Sequence, residues 1–223
     1  FLGASLGGVN KGDIQTGVRP FLNRSNHNPP STPVPGFSFH IYAGCANNTG
    51  PGMEAAFPNT DAKVKLIEEL KQTADELRPE GLELHMTESG MFCNQPPGCA
   101  VNDYSCWYST YPQAYWTASA GQWLYQFPTY AKAIDLATVA QSQILGYPYQ
   151  FDSLSGEWPC GTMVDWDGNA LNAKYWVQLL LLQHVSRPFT YCDTTATGVD
   201  ADDVYVQGLS SDKGDVLVVV NKR

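Results

Sequence analysis

Leu82-Glu83-Leu84-His85-Met86-Thr87-Glu88-Ser89-Gly90 is the stretch on which the fold turns. An apolar, strand-favouring run stops at a carboxylate, and Ser89-Gly90 predicts the start of a long loop straight after it. A glutamate at such a point is poorly placed for a core. It is well placed for chemistry, because a strand end holds a side chain rigidly at the mouth of a sheet. Inside a parallel barrel, Glu88 would stand on the carboxyl-end face, where barrel enzymes keep their catalytic groups. The competing reading is a strand-ending glutamate that faces solvent or pairs with an arginine.

The bulk properties narrow the field. With 223 residues the chain can form one large domain or one and a half, and 43% hydrophobic content is ample for a core. The net charge of −9 argues against nucleic acid and anionic membranes as partners, though an acidic substrate would need only a local basic pocket. No run reaches the ~18 to 20 apolar residues that span a bilayer. Residues 1–9 are apolar but have no basic leader and no cleavage signature, so they do not read as a signal peptide. Cys45, Cys93, Cys99, Cys106, Cys160 and Cys192 show no C-x-x-C spacing and no clustering with histidines, which excludes the usual zinc patterns. An even number of cysteines fits disulfides in an oxidising compartment. The glycosylation sequons at Asn23 and Asn47 point the same way. A secreted protein with oxidised cysteines, no metal and no cofactor is the expectation.

Around the deciding stretch the chain alternates strand and helix. Residues 1–8 read as a short buried strand running into a glycine turn, 13–24 as a weak helix, and 26–36, with its prolines, as a loop. Phe37-Ser38-Phe39-His40-Ile41-Tyr42 is a strong strand signal, with Ser38, His40 and Tyr42 on one face and Phe37, Phe39 and Ile41 on the other. Thr60-Asp61 should cap an amphipathic helix through Leu77, with Val64, Ile67, Leu70, Ala74 and Leu77 as its stripe. After Glu88 a long cysteine-bearing loop contains Trp107 within a run of aromatic rings that suit sugar faces or loop packing. Residues 117–140 read as a helix broken near Pro128, 143–151 as a buried strand, and 152–169 as a loop containing Trp158. Residues 172–185 read as a helix whose Tyr175, Trp176, Leu179, Leu180 and Leu182 face a core. Beyond Pro188 the style changes to short β segments at 189–191, 204–208 and 216–220, the last two joined by a turn at residues 211–214.

Four strand–helix units imply a parallel sheet covered by helices. As half of a (β/α)8 barrel they would leave two open sheet edges, which a stable protein avoids. A four-strand doubly wound sheet is the rival, but no glycine-rich phosphate turn follows any strand, which also disfavours a Rossmann-type cofactor enzyme. The division expected is residues 1–187 in the α/β part and 188–223 in an antiparallel part.

The order of the motifs resembles a known group. Gly7-Gly8, then Ser38-Phe39-His40-Ile41-Tyr42, then Thr87-Glu88-Ser89-Gly90 is similar to the second half of the catalytic barrel in retaining barrel-clan glycosidases. The resemblance is to the heparanase and β-glucuronidase family and the β-xylosidase and α-iduronidase family. Trp116 to Gly121, Leu136-Ala137 and Gln143 to Tyr147 resemble the seventh helix and eighth strand of the heparanase-like group. Asp165 to Trp176 resembles the start of the last barrel helix, and Leu217 to Lys222 a strand of the β-sandwich that follows the barrel.

The resemblance implies that the strands are the fifth to eighth of eight, that Glu88 is the nucleophile, and that His40 and Tyr42 contact the nucleophile or the sugar. It also implies a carbohydrate partner, with Trp107 and Trp158 as sugar-contacting candidates. These families take the general acid/base from a glutamate after an asparagine on the fourth strand, and no Asn-Glu pair occurs here. The expected acid is therefore not in this chain, and the missing amino-terminal part of the same protein is the expected partner. Glu157 and Asp152 are the in-chain substitutes, on a strand where this chemistry is seldom placed. Asp165 and Asp167 lack the later ligands of a calcium loop. Two function classes follow: a secreted retaining glycoside hydrolase, or a carbohydrate-binding or structural glycoprotein on a degenerate barrel.

Overall fold

The computed structural model describes residues 5–6, 9–45, 50–93, 98, 100, 114–142, 144, 163–165 and 170–223. Its centre is a four-stranded parallel sheet in chain order, β1 (Ser5–Leu6), β2 (Gly36–Cys45), β3 (Glu83–Cys93) and β4 (Thr138–Val139). Each strand pairs with the next one in sequence, so among the described residues there is no reversal of strand order of the kind that marks a doubly wound sheet. The sheet is open here: β1 and β4 each contribute two paired residues, and no closed barrel is seen among the described residues.

Helices cover one face. The first helical stretch, α1 (Lys11–Asp13), a π turn (Ile14–Val18) and α2 (Arg19–Leu22), starts two residues earlier than the sequence suggests. Asn10 and Asp13 exchange side-chain to backbone bonds there, a capping box that satisfies two orphan donors. After α3 (Gly50–Glu54), α4 (Ala56–Leu77) also starts earlier than expected. Thr60 lies inside it, fully buried with its hydroxyl on the Ala56 carbonyl, and so it is not the cap. The predicted face holds: Ile67, Leu70 and Ala74 pack against Phe37, Phe39, Ile41, Leu84 and Met86, with Val64 and Leu77 at the margin. Complete burial of each large side chain contributes about 1.5–3 kcal/mol. The buried Arg78 ends α4 and donates Nε to the Leu22 carbonyl at 2.8 Å, joining the ends of α2 and α4.

α5 (Ala114–Ile134) runs through Pro128 with no break. The Thr129 hydroxyl bonds the Tyr125 carbonyl within that turn, and the helix stops at Ile134, six residues short of the expected end. The residues just beyond form the fourth strand. Ala137, Ala140 and Ser142 donate their amides to the Leu84, Met86 and Ser89 carbonyls, so this segment completes the sheet. The strand expected at 143–151 lies almost wholly outside the described residues. β5 (Val164–Asp165) and β6 (Ala170–Leu171) form a small hairpin.

Asn172 caps α6 (Ala173–His184) through its side chain. The expectation that Trp176, Leu180 and Leu182 face a core is not met: they are 50%, 54% and 70% exposed. The helix turns Leu181, Val185 and the buried Lys174 inward instead. No described residue covers the opposite face.

The last sheet, β7 (Phe189–Cys192), β8 (Val204–Ser211) and β9 (Gly214–Asn221), is antiparallel and packs on α5. Leu209, Val218 and Val220 meet Phe57 and Tyr125, and the Tyr125 and Tyr205 rings cross edge-to-face at 4.8 Å. Gly208 is required by close approach, since a Cβ there would lie 3.0 Å from Cys192 Cβ and from Thr194 Oγ1. Cys192 is a free thiol, contrary to its expected disulfide. It sits in β7 opposite Gly208, in a sheet that contains none of the other five cysteines.

Burial at this interface pushes the Tyr191 and Tyr205 hydroxyls up to about 12; the nearby Tyr205 adds to the effect at Tyr191, and a Thr129 hydrogen bond offsets part of it at Tyr205. Unfolded tyrosines ionise near pH 10. Between about pH 10 and 12 the unfolded chain therefore gives up protons that the folded chain keeps, and stability should fall as pH rises through that window. Urea midpoints measured across it should decline, and Tyr191→Phe with Tyr205→Phe should lose part of the slope. An unchanged slope in the double variant would refute the assignment.

Candidate functional site

β2 and β3 build the site, and their register decides its geometry. Phe39 stands opposite Met86 but His40 stands opposite Glu88, so Thr87 is an extra residue in the ladder. Such a bulge interrupts the alternation of faces. Leu84 and Met86 belong to the helix-side core before it, and after it Ser89 and Met91 stand beside the buried Ile41 and Ala43 of β2, all four at 2% exposure or less. In an unbroken ladder Glu88 would fall opposite Ile41, among buried apolar side chains, where an unpaired carboxylate costs several kcal/mol. The bulge turns it to the other face.

That face carries Ser38, His40 and Tyr42 from β2, as alternation predicts. The Tyr42 hydroxyl donates to Glu88 Oε2 at 2.8 Å, and His40 Nδ1 lies 3.2 Å from the same oxygen. Tyr42 reaches back diagonally, because its own partner in the ladder is Gly90. The side chains of His40 and Glu88 are 20% and 38% exposed, so the carboxylate is held at a part-open position. Both contacts fall on Oε2, and Oε1 takes no hydrogen bond among the described residues. Among the described residues, then, Oε2 is held by the Tyr42 hydroxyl with His40 beside it, and Oε1 is left uncontacted.

The surroundings are rigid. Ser89 donates its hydroxyl to the Ala140 carbonyl, and deeper on the site face His85 Nδ1 lies 3.1 Å from Thr138 Oγ1. β3 runs on to Cys93, so Ser89-Gly90 is strand and the expected loop starts later. Beside Tyr42 a cleft of about 570 Å³ is lined by Gly44, Asn59, Lys11, Lys63, Lys65 and the carboxylate of Glu69. The three lysines outnumber Glu69, so the cleft has a local positive excess that the net charge of −9 conceals. Asn59 Nδ2 donates to the Gly44 carbonyl at 2.5 Å and closes one wall.

Of the residues singled out in the sequence, the structure brings together Glu88, His40 and Tyr42. Trp107, Trp158, Asn47, Cys99, Cys106, Cys160, Asp152 and Glu157 lie outside the described residues. Cys45 and Cys93 face each other across the β2–β3 ladder in backbone register, and their side chains lie outside the described set. No group of three or more metal-ligating side chains occurs among the described residues. The bulge was missed, although a clue is present: Leu84, Met86 and Glu88 share one strand parity, which would bury a carboxylate. Thr87 itself has no distinctive chemistry.

No protein-family model and no curated protein sequence matches the chain. Its fold is similar to that of the GH51 arabinofuranosidase from Xanthomonas axonopodis pv. citri, with a TM-score of 0.61 at 14% identity. The likeness covers 98% of this chain and 43% of that one, so the chain spans less than half the length of this neighbour. A glycosidase-like α/β fold is what this likeness supports. Among the described residues no helix is long and apolar enough to cross a membrane.

Deleting Thr87 should leave a regular ladder with Met86 still opposite Phe39 and Glu88 still opposite His40. Its cost in denaturant unfolding should stay within about 1 kcal/mol, whereas deleting the buried Met86 should cost about 2–5 kcal/mol. Equal losses from the two deletions would show that Thr87 is not a supernumerary residue.

Proposed function

We propose that this chain supplies the nucleophile half of a secreted retaining glycoside hydrolase acting on O-glycosidic bonds of a polysaccharide or glycoconjugate. The observation that carries the reading is the Glu88 carboxylate on the polar face of the sheet, with Tyr42 and His40 on Oε2 and no described residue on Oε1. The likeness to a glycoside hydrolase adds weight. In the same reading, residues 1–187 are the second half of a (β/α)8 barrel and residues 188–223 the first strands of a β-sandwich. The short paired edges β1 and β4 and the uncovered face of α6 are where the other half would dock.

Retaining hydrolysis uses two carboxyl groups about 5–5.5 Å apart. Glu88 Oε1 attacks the anomeric carbon, a glycosyl–oxygen ester forms, and the leaving oxygen takes a proton from the second carboxyl group, contributed by polypeptide outside this chain. Water then attacks the same carbon, giving its proton to that second group, and Glu88 is released. The Tyr42 hydroxyl keeps Oε2 solvated by a fixed donor while charge moves off the carboxylate.

In the complete protein Glu88→Gln should cut turnover by at least about a thousandfold while sugar binding survives. Tyr42→Phe should cost on the order of a hundredfold in kcat, as loss of one fixed donor does elsewhere. A 2-deoxy-2-fluoro glycoside should leave a covalent adduct on the peptide containing Glu88. Near-normal turnover of Glu88→Gln sinks the assignment. Sugar binding without turnover in the parent protein would favour the non-catalytic carbohydrate-binding reading.

A further inference from the structure

The sequon Asn23-Arg24-Ser25 has no part in the proposed reaction, and unlike the one at Asn47 it falls on described residues. Asn23 is exposed, directly follows α2, and caps the short 3-10 turn Arg24–Asn26. Its Oδ1 accepts the Ser25 backbone N–H at 3.0 Å and the Ser25 hydroxyl at 2.9 Å. The hydroxyl on the third residue is thus already directed at the carboxamide. A donor on Oδ1 stabilises that oxygen as Nδ2 gives up a proton. Both bonds use Oδ1, and Nδ2 takes none among the described residues. Replacing one Nδ2 hydrogen would leave the cap and the turn intact.

The location also fits. The Leu22 carbonyl is held by Arg78 Nε, and Arg24 pairs with Glu80 at 2.5 Å. These contacts tie Asn23 to the chain just before β3 starts at Glu83, at the amino-terminal ends of the parallel strands. Glu88 and the lysine-lined cleft lie toward the opposite end. A bulky group on Asn23 would extend from the closed side of the sheet and leave the site uncovered.

We infer that Asn23 carries an N-linked glycan, added from an oligosaccharide donor on a lipid pyrophosphate. Nδ2 forms a bond to the anomeric carbon of the first sugar, the bond from that carbon to the pyrophosphate oxygen breaks, and the lipid pyrophosphate leaves. The amide proton goes to a base. This inference is independent of the role of Glu88, and it requires passage through a secretory compartment.

The complete protein, secreted from a eukaryotic host, would be digested with trypsin and enzymatically deglycosylated in heavy-oxygen water. The conversion of a glycosylated asparagine to labelled aspartate should mark the peptide spanning residues 12–24, which separates Asn23 from Asn47. Ser25→Ala should abolish the label while keeping the backbone cap bond and the parent melting temperature. Ser25→Thr, which keeps the hydroxyl, should retain the label. An unlabelled 12–24 peptide from folded, secreted protein, or label confined to Asn47, would overturn the inference. Turnover unchanged on loss of the glycan would agree with its placement away from the site, and a tenfold loss would contradict that placement.

Discussion

A strand cannot present the same parity to one face along its whole length if the residues at its two ends demand opposite parities. β3 meets that constraint at Thr87. Its first half is locked by Leu84 and Met86 in the helix-side core, its second by Ser89 and Met91, buried beside Ile41 and Ala43 of β2. The only regular solution would bury Glu88 or expose half the core. One supernumerary residue resolves the conflict. The position of the carboxylate therefore follows from packing on the opposite side of the sheet, and the cost of burying a charge makes the alternative register unfavourable.

Everything that fixes the site flows from that packing. β2 has an uninterrupted apolar face, Phe37, Phe39, Ile41 and Ala43, so His40 and Tyr42 are held on the other face by a strand that cannot rotate. β4 braces β3 through backbone bonds and the Ser89 hydroxyl. Arg78 joins the ends of α2 and α4, and Tyr125 joins α5 to the terminal sheet. Pre-organisation of this kind holds a part-exposed carboxylate with its Oε2 on a fixed hydroxyl donor.

The charge pattern follows the same division. Acidic residues outnumber basic ones in the chain as a whole, yet the cleft beside Tyr42 gathers Lys11 from the first helix and Lys63 and Lys65 from the body of α4, against a single carboxylate, Glu69. A local basic excess in an acidic protein thus comes from packing two helices side by side, and a net charge does not reveal it.

Local pattern determined a good part of this protein. The alternation in residues 37–42, the apolar stripe from Val64 to Leu77, the turn at residues 211–214 and the parallel strand–helix order all rest on neighbours in sequence, and each is present. Glu88 was legible from its residue type and strand-end position, while Tyr42 and His40 were placed on one face by alternation and marked as site candidates by the resemblance to the barrel-clan glycosidases. What tertiary structure alone decided involves partners far apart in the chain. The helix through Pro128 persists because residues on both sides of the proline, Trp123 and Tyr125 before it and Tyr130 and Ile134 after it, are buried. The strand at Thr138–Val139 exists because β3 offers it an edge. Trp176, Leu180 and Leu182 have a core-like composition, yet nothing described here covers them. Cys192 is a thiol in a sheet where its cross-strand partner is Gly208. The aim of Glu88 belongs to this second class: whether a ladder slips by one residue depends on what both strands must bury, and no single strand contains that information.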